Sequence, residues 1–262
     1  MGIDRAAHAI PSQMSVIPSV EGLRMRFRNY FERVFIINLA ERLDRRLEML
    51  QELHAAGLSV EPGHIEFFPA VKAPDTGGFR NAGVHGCFRS HLEALKLSRS
   101  EGARNVLILE DDASLSSRFL HDEEILVEQL SQIPWGMTYF GHALEPCANR
   151  RTVLRPHAGP ILLAHCYAVN ASVFDRLIQF LEAILSRPPG DPAGGPMDVD
   201  GAFSRFRAEN PDVVTLVASP NLATQRNSRS DLSPRWFDRI PGLSNMAGLY
   251  RRGRRTTREL LR

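Results

Sequence analysis

The sequence predicts an α/β fold, a single domain with a mostly parallel sheet flanked by helices. Three observations predict it. Short runs rich in β-branched and aromatic residues alternate with amphipathic stretches at helical spacing. The runs are apolar at every position, as in strands buried on both faces. Gly and Pro clusters separate the elements, and 262 residues at 43% hydrophobic suffice for one sizeable core.

Residues 1–30 lack periodicity and contain Pro11 and Pro18, which predicts a flexible N-terminal arm ahead of a domain over 31–240. Val34-Phe35-Ile36-Ile37 reads as the first strand. Over residues 41–56, Leu43, Leu47, Leu50 and Leu53 recur at helical spacing, giving an amphipathic helix that Gly57 ends. A second strand is expected over 65–68, then a loop with Pro74, Gly77 and Gly78, and a helix over 87–100 closed by Gly102. Val106-Leu107-Ile108-Leu109 is the third strand and runs straight into Glu110-Asp111-Asp112. A helix over 123–132, a strand over 137–140, a polar hairpin or flap over 143–160 and a strand over 161–169 follow. Asn170 is placed to cap a helix over 171–185. Residues 186–197, the densest Pro/Gly segment, read as a loop, followed by a helix near 201–208 and a last strand over 213–217.

The net charge of +2 hides an uneven distribution. Residues 250–262 hold six Arg and one Glu, or +5, so the remainder of the chain sums to −3. The expected basic C-terminal tail covers 241–262, and because the positive charge is local, no nucleic-acid partner is expected. Six arginines near an anionic membrane, at about 1 kcal/mol each, make a peripheral membrane contact one reading of the tail. A solvated end is the other. No apolar run reaches membrane-spanning length, and no secretory signal is recognisable. Cys87, Cys147 and Cys166 are an odd, widely spaced set without a CxxC pair, which argues against a disulfide framework and points to a cytoplasmic home.

Ligands of open α/β sheets sit at the carboxyl ends of the strands, so the chemistry is sought there. Neither GxGxxG nor GxxxxGK[ST] is present, which leaves arginines or a metal to hold any phosphate. After the first strand, Arg42 or Arg45 can present bidentate donors to a diphosphate, or simply pair with Glu41, Asp44 and Glu48 on a solvated helix face. After the third strand, three adjacent carboxylates repel one another unless a cation compensates. Strand alternation points Glu110 and Asp112 to one side, and an all-oxygen set suits Mg²⁺ or Mn²⁺. The alternative is an acidic turn capping the next helix. Cys87 and His91 fall where a helix faces the core, Cys87 as a small buried residue and His91 as a core histidine or a hydrogen-bond partner of the acidic loop. Trp135, Tyr167 and His142 lie near strand ends, where stacking or an acceptor contact competes with a plain core role.

Three blocks give the chain a family resemblance. VFIINLAERLDRR at 34–46, GVHGCFRSHLEAL at 83–95 leading to VLILEDDA at 106–113, and dispersed residues Tyr167, Pro196-Met197-Asp198, Pro220, Gln225 and Ser230 follow one another in family order. In these the sequence resembles glycosyltransferase family 25, which contains bacterial lipooligosaccharide galactosyltransferases and animal collagen galactosyltransferases. The resemblance implies a GT-A-type fold and inverting transfer of a hexose, usually galactose from UDP-galactose, with Mn²⁺ or Mg²⁺. It places Asn38 and Arg45 near the nucleotide, and Gly83 and Gly86 where backbone approaches the donor. Glu110, Asp111 and Asp112 become the metal and donor centre, with Asp112 and Glu110 as metal ligands. It also makes Asp198 a candidate base on the acceptor hydroxyl, with Asp200 as the second choice; the bland role for either is the first turn of the following helix. The expected partners are a nucleotide-sugar donor and a glycan or glycolipid acceptor, as in lipopolysaccharide biosynthesis at the inner membrane face. The competing reading is a catalytically idle nucleotide-sugar- or carbohydrate-binding module of the same fold.

Overall fold

The computed structural model describes residues 26–145 and 151–226. In chain order these form α1 (Phe27–Tyr30), β1 (Arg33–Asn38), α2 (Leu43–Ala55), β2 (Ile65–Pro69) and α3 (Ala82–Ser100). Then come β3 (Asn105–Glu110), β4 (Ala113–Leu115), α4 (Ser117–His121), α5 (Glu123–Gln132), β5 (Met137–Tyr139) and β6 (Val153–Pro156). The last group is β7 (Cys166–Asn170), a 3₁₀ turn (Ala171–Val173), α6 (Phe174–Ser186), α7 (Val199–Glu209), β8 (Thr215–Ser219) and β9 (Ala223–Gln225).

Seven strands form one sheet in the order β2-β1-β3-β7-β5-β8-β6, and β4 pairs with β9 in a separate two-stranded ribbon. Five of the seven share a direction, because β1 runs parallel to β2 and β3, β5 runs parallel to β8, and β3 and β5 are both antiparallel to β7. The reversed strands are β7 and the edge strand β6. The mostly parallel α/β architecture expected from the sequence is therefore present. The continuous apolar runs follow from burial on both faces. Phe35, Ile37, Val106 and Ile108 face a core completed by Phe88, Leu92, Leu177, Leu181 and Phe203 from α3, α6 and α7. Val34, Ile36, Leu107 and Leu109 face the opposite core, completed by Met49, Leu53, Phe119 and Leu126 from α2, α4 and α5. Each such side chain contributes about 1.5–3 kcal/mol of transfer free energy. Among the described residues no helix is long and apolar enough to cross a membrane.

Four expectations need correction. The arm assigned to 1–30 does not extend to its stated end, because Phe27 is buried within 4.8–5.6 Å (ring centroids) of Phe31, Phe119 and Phe140. Residues 1–25 of that arm, the basic tail 241–262, Cys147 and Ser230 lie outside the described residues. On α2 only Leu53 of the four-leucine stripe is buried, together with Met49; Leu43, Leu47 and Leu50 are exposed. The α3 helix starts at Ala82, five residues early, because Asn81 Oδ1 accepts the Val84 N–H at 2.8 Å as an N-cap. Residues 161–165 are not strand, since Leu163 takes φ +72° and only 166–170 joins the ladder.

Candidate active site

The shared direction of β1, β3, β5 and β8 gathers their carboxyl ends on one edge of the sheet, together with the start of β7. Asn38 ends β1 and Glu110 ends β3, and the Asp111 N–H donates to Ile37 O at 3.1 Å, carrying the ladder one residue further. Asp111 is fully engaged. It accepts from Asn38 Nδ2 and from Arg45 Nη1, both at 2.8 Å. Asp112 is held loosely, with Arg45 at 3.4 Å and Gln225 Nε2 at 3.3–3.4 Å. Burial pushes Asp112 up to about 7, with Glu110 and Asp111 adding to the rise against the opposing Arg45 charge. This carboxyl has more negative field around it than the protein compensates.

Glu110 takes a different partner. Its Oε1 lies 3.2 Å from His91 Nε2, and His91 Nδ1 lies 2.8 Å from the Tyr167 hydroxyl. Burial alone pushes the Glu110 carboxyl up, but the hydrogen bond and charge of His91, with His165 and Arg45 behind it, bring it below the ordinary value. Arg226 braces the loop by donating to the backbone oxygens of Asp111 (2.6 Å) and Ala113 (2.8 Å) while pairing with Glu48 and Glu52 of α2.

The two candidate bases on α7 separate clearly. Asp198 stands at the N-cap position but makes no capping bond; its Oδ1 meets Arg80 at 3.1 Å and the side chain stays part-exposed. Burial raises its carboxyl above the ordinary value, and Arg80 opposes the rise. Asp200 is buried and each oxygen accepts a backbone N–H, from Leu163 at 3.0 Å and from Gly201 at 2.7 Å. Burial pushes Asp200 up to about 6. It therefore positions the left-handed turn at Leu163 rather than facing a reactant. Cys87 lies among all these acids: burial first, then the charges of Glu110, Asp200, Asp112 and Asp198, hold its thiol well above the ordinary value. A protonated thiol in that field is a poor nucleophile.

Of the residues singled out in the sequence, Asn38, Arg45, Glu110, Asp111 and Asp112 converge. Arg42 instead forms a bidentate pair with Asp44 at 2.9–3.0 Å on its own helix. Gly83 is exposed in the first turn of α3. Gly86 serves packing: a Cβ there would lie 2.4 Å from Val71 O, so the glycine lets α3 close on the 71–73 backbone. Tyr167 and Trp135 are buried and hydrogen-bonded to His91 and Tyr30, and His142 Nε2 binds Ala218 O at 2.8 Å, so all three are structural. The sequence reading missed Arg80, Arg226 and His165. His165 sits over Gly141, where a Cβ would meet its ring at 2.3 Å; its Nε2 binds Ala223 O, and its buried Nδ1 has no partner among the described residues. Only the ladder pairing of β7 with β3 brings it beside Glu110, and no local motif announces that.

No protein-family model matches the chain. Curated relatives match part of it. A probable inactive glycosyltransferase 25 family member 3 from Bos taurus is 30% identical over 129 residues, 42% of this chain and 22% of that protein. Procollagen galactosyltransferase 2 from Mus musculus is 27% identical over 150 residues, covering 50% of this chain and 23% of the relative. Procollagen galactosyltransferase 1 from Danio rerio is 28% identical over 129 residues, covering 42% and 21%. The matched stretch thus spans about a fifth of the length of these relatives. Among solved structures, a putative glucose-1-phosphate thymidylyltransferase from Bacillus anthracis overlaps 70% of this chain and 66% of its own at TM-score 0.38 and 12% identity, too loose an overlap to build on. Over up to half its length, the chain is a distant relative of glycosyltransferase 25 family members, some named galactosyltransferases and some named inactive.

Proposed function

We propose that the chain is an inverting glycosyltransferase that moves a hexose, galactose in the first instance, from a UDP-sugar to a hydroxyl of a cell-surface glycan such as lipooligosaccharide. The observation that carries this reading is that an undercompensated, buried Asp112 just after β3 and a part-exposed, Arg80-oriented Asp198 at the N-cap of α7 both lie close enough to act on Cys87. The galactosyltransferase names among the distant relatives support the same reaction class.

The residues fit a hard divalent cation, Mn²⁺ or Mg²⁺. Asp111 already has a short hydrogen bond on each oxygen, from Asn38 and Arg45, whereas Asp112 offers carboxylate oxygens with only long contacts in an excess of negative charge. Asp112 would hold the ion, with Glu110 as a neighbouring carboxylate, and the ion would neutralise the departing diphosphate. In a single displacement Asp198 takes the proton of the acceptor hydroxyl, the acceptor oxygen bonds to the anomeric carbon, and the carbon–oxygen bond to the diphosphate breaks. Burial suits Asp198 to this by raising its basicity, and Arg80 fixes its orientation. Asp200 and Arg45 act through others, on the Leu163 turn and on the acidic loop.

Ligand-observed NMR with a panel of UDP-hexoses tests the reading. Donor binding is expected to strengthen with Mn²⁺ in the wild type and not in Asp112→Asn. Donor affinity indifferent to both the cation and Asp112 would refute it. The second reading, an idle binding module, draws on the relatives named inactive. It predicts donor binding without turnover. The Arg-rich tail's proposed membrane contact predicts that deleting 250–262 abolishes sedimentation with anionic liposomes; unchanged sedimentation would refute it.

A further inference from the structure

We infer that Cys87, His91 and Glu110 form a binding site for a thiophilic divalent cation of the Zn²⁺ or Co²⁺ class, distinct from the hard-cation position at Asp112. The three ligand atoms, one sulfur, one imidazole nitrogen and one carboxylate oxygen, all lie within 4.8 Å of one another. They form the one group of at least three such residues to do so among the described residues; Glu110, Asp111 and Asp112 do not. Cys87 and His91 are four residues apart on α3 and share a face of the helix, and Glu110 approaches from the end of β3. The separation of His91 Nε2 and Glu110 Oε1 is 3.2 Å. In the metal-free site that separation is a hydrogen bond; two ligands about 2.0–2.1 Å from one tetrahedral ion stand about 3.3–3.4 Å apart, so an ion can replace the bridging proton with little movement of either side chain.

The surroundings favour that ion further. His91 is completely buried, and its Nδ1 is fixed by the Tyr167 hydroxyl, the outer contact that orients a ligating imidazole with Nε2 toward a metal. Glu110, Asp112, Asp198 and Asp200 all act electrostatically on Cys87, so the pocket attracts positive charge. The mixed sulfur, nitrogen and oxygen set selects a borderline-soft ion, whereas Mg²⁺ has no use for a thiol. Part of Cys87 and Glu110 remains accessible, which leaves a fourth position for water. Binding is charge-balanced: the thiol releases one proton as its sulfur bonds the ion, and the Nε2 proton that His91 donates to the Glu110 carboxylate leaves that nitrogen as well, passing to solvent or, by tautomerisation, to Nδ1 with Tyr167 Oη then accepting it. Loading would clamp α3 to the end of β3 and draw Glu110 away from the donor side.

The test is optical and does not depend on sugar transfer. The metal-free 262-residue chain is titrated with Co²⁺ and followed for the near-ultraviolet thiolate-to-cobalt band and the intense visible bands of tetrahedral cobalt. One equivalent is expected to bind with release of at least one proton. The bands should persist in Cys147→Ser, vanish in Cys87→Ser, and require roughly tenfold more cobalt in Glu110→Gln. No thiolate band in the wild type, a band unchanged in Cys87→Ser, or one lost with Cys147 overturns the site. The wild-type titration decides the matter even where a variant folds poorly, which circular dichroism would reveal. Mn²⁺-dependent donor binding unaffected by Cys87→Ser would separate this site from the one at Asp112.

Discussion

Substituting Asp200 by Asn makes a quantitative demand on the structure. Burial lifts the Asp200 carboxyl from 3.8 to about 6, assisted by the charges of Asp198 and Glu110 and opposed by the N–H groups of Leu163 and Gly201. A lift of about two units at 1.36 kcal/mol each is about 3 kcal/mol. The sign follows from proton counting. Between pH 3.8 and about 6 the folded state holds a proton that the unfolded state has released, so stability falls as pH rises through that window. The contribution is complete below the unfolded value and gone above the folded one. Asn cannot ionise, so its stability carries no such slope. Asn keeps one backbone hydrogen bond and loses the other, because its amide NH₂ cannot accept; that offset is independent of pH. Urea unfolding of both proteins at pH 4 to 8 therefore yields a stability difference that shifts by about 2 kcal/mol in favour of Asn between pH 4 and 6 and levels off by about pH 7. Parallel pH profiles would refute the claim that burial outweighs the Leu163 and Gly201 N–H groups in setting the Asp200 carboxyl.

Other substitutions test neighbouring parts of the account. Gly86→Ala places a Cβ 2.4 Å from a carbonyl oxygen and should destabilise by about 1–3 kcal/mol in equilibrium unfolding. Arg45→Met strips the buried Asp111 and Asp112 of their shared counter-charge; a loss of about 3–5 kcal/mol is expected, partly restored by Mn²⁺ in a thermal-shift assay. Leu47→Gln, by contrast, changes an exposed position and should stay within about 0.5 kcal/mol, which a core role for that leucine would violate. Asp198→Asn should lower kcat strongly while donor affinity stays near wild type; equal losses would mark a structural role instead.

What the sequence discloses and what it conceals divide along physical lines. Strands β1 and β3 are legible because a run that is apolar at every position has few uses outside a sheet covered on both faces. The acidic triplet is legible because like charges in sequence demand compensation wherever the chain goes. The orientation of α2 is not: Leu43, Leu47 and Leu50 give a helical period, but which stripe faces inward depends on Phe119, Leu126 and the sheet face that α2 meets. The irregular stretch at 161–165 is likewise set from outside, by an Asp200 carboxylate 37 residues ahead of Leu163. The division of labour between Asp198 and Asp200 is invisible in DVD, since one faces Arg80 across 118 residues and the other faces backbone. The His91 contact with the acidic loop is one of the two roles the sequence allows that histidine, but that it falls on Glu110, with Cys87 beside it, is set by how α3 packs on β3.

UDP release from UDP-galactose tests the central claim most directly, measured on the full chain with Mn²⁺ and water or a galactose-accepting glycan as the second substrate. The account predicts cation-dependent UDP release that collapses in Asp112→Asn and, with the glycan present, falls by about 10²–10⁴-fold in Asp198→Asn. Saturable donor binding with no UDP released from any UDP-hexose, or release indifferent to both substitutions, would contradict it.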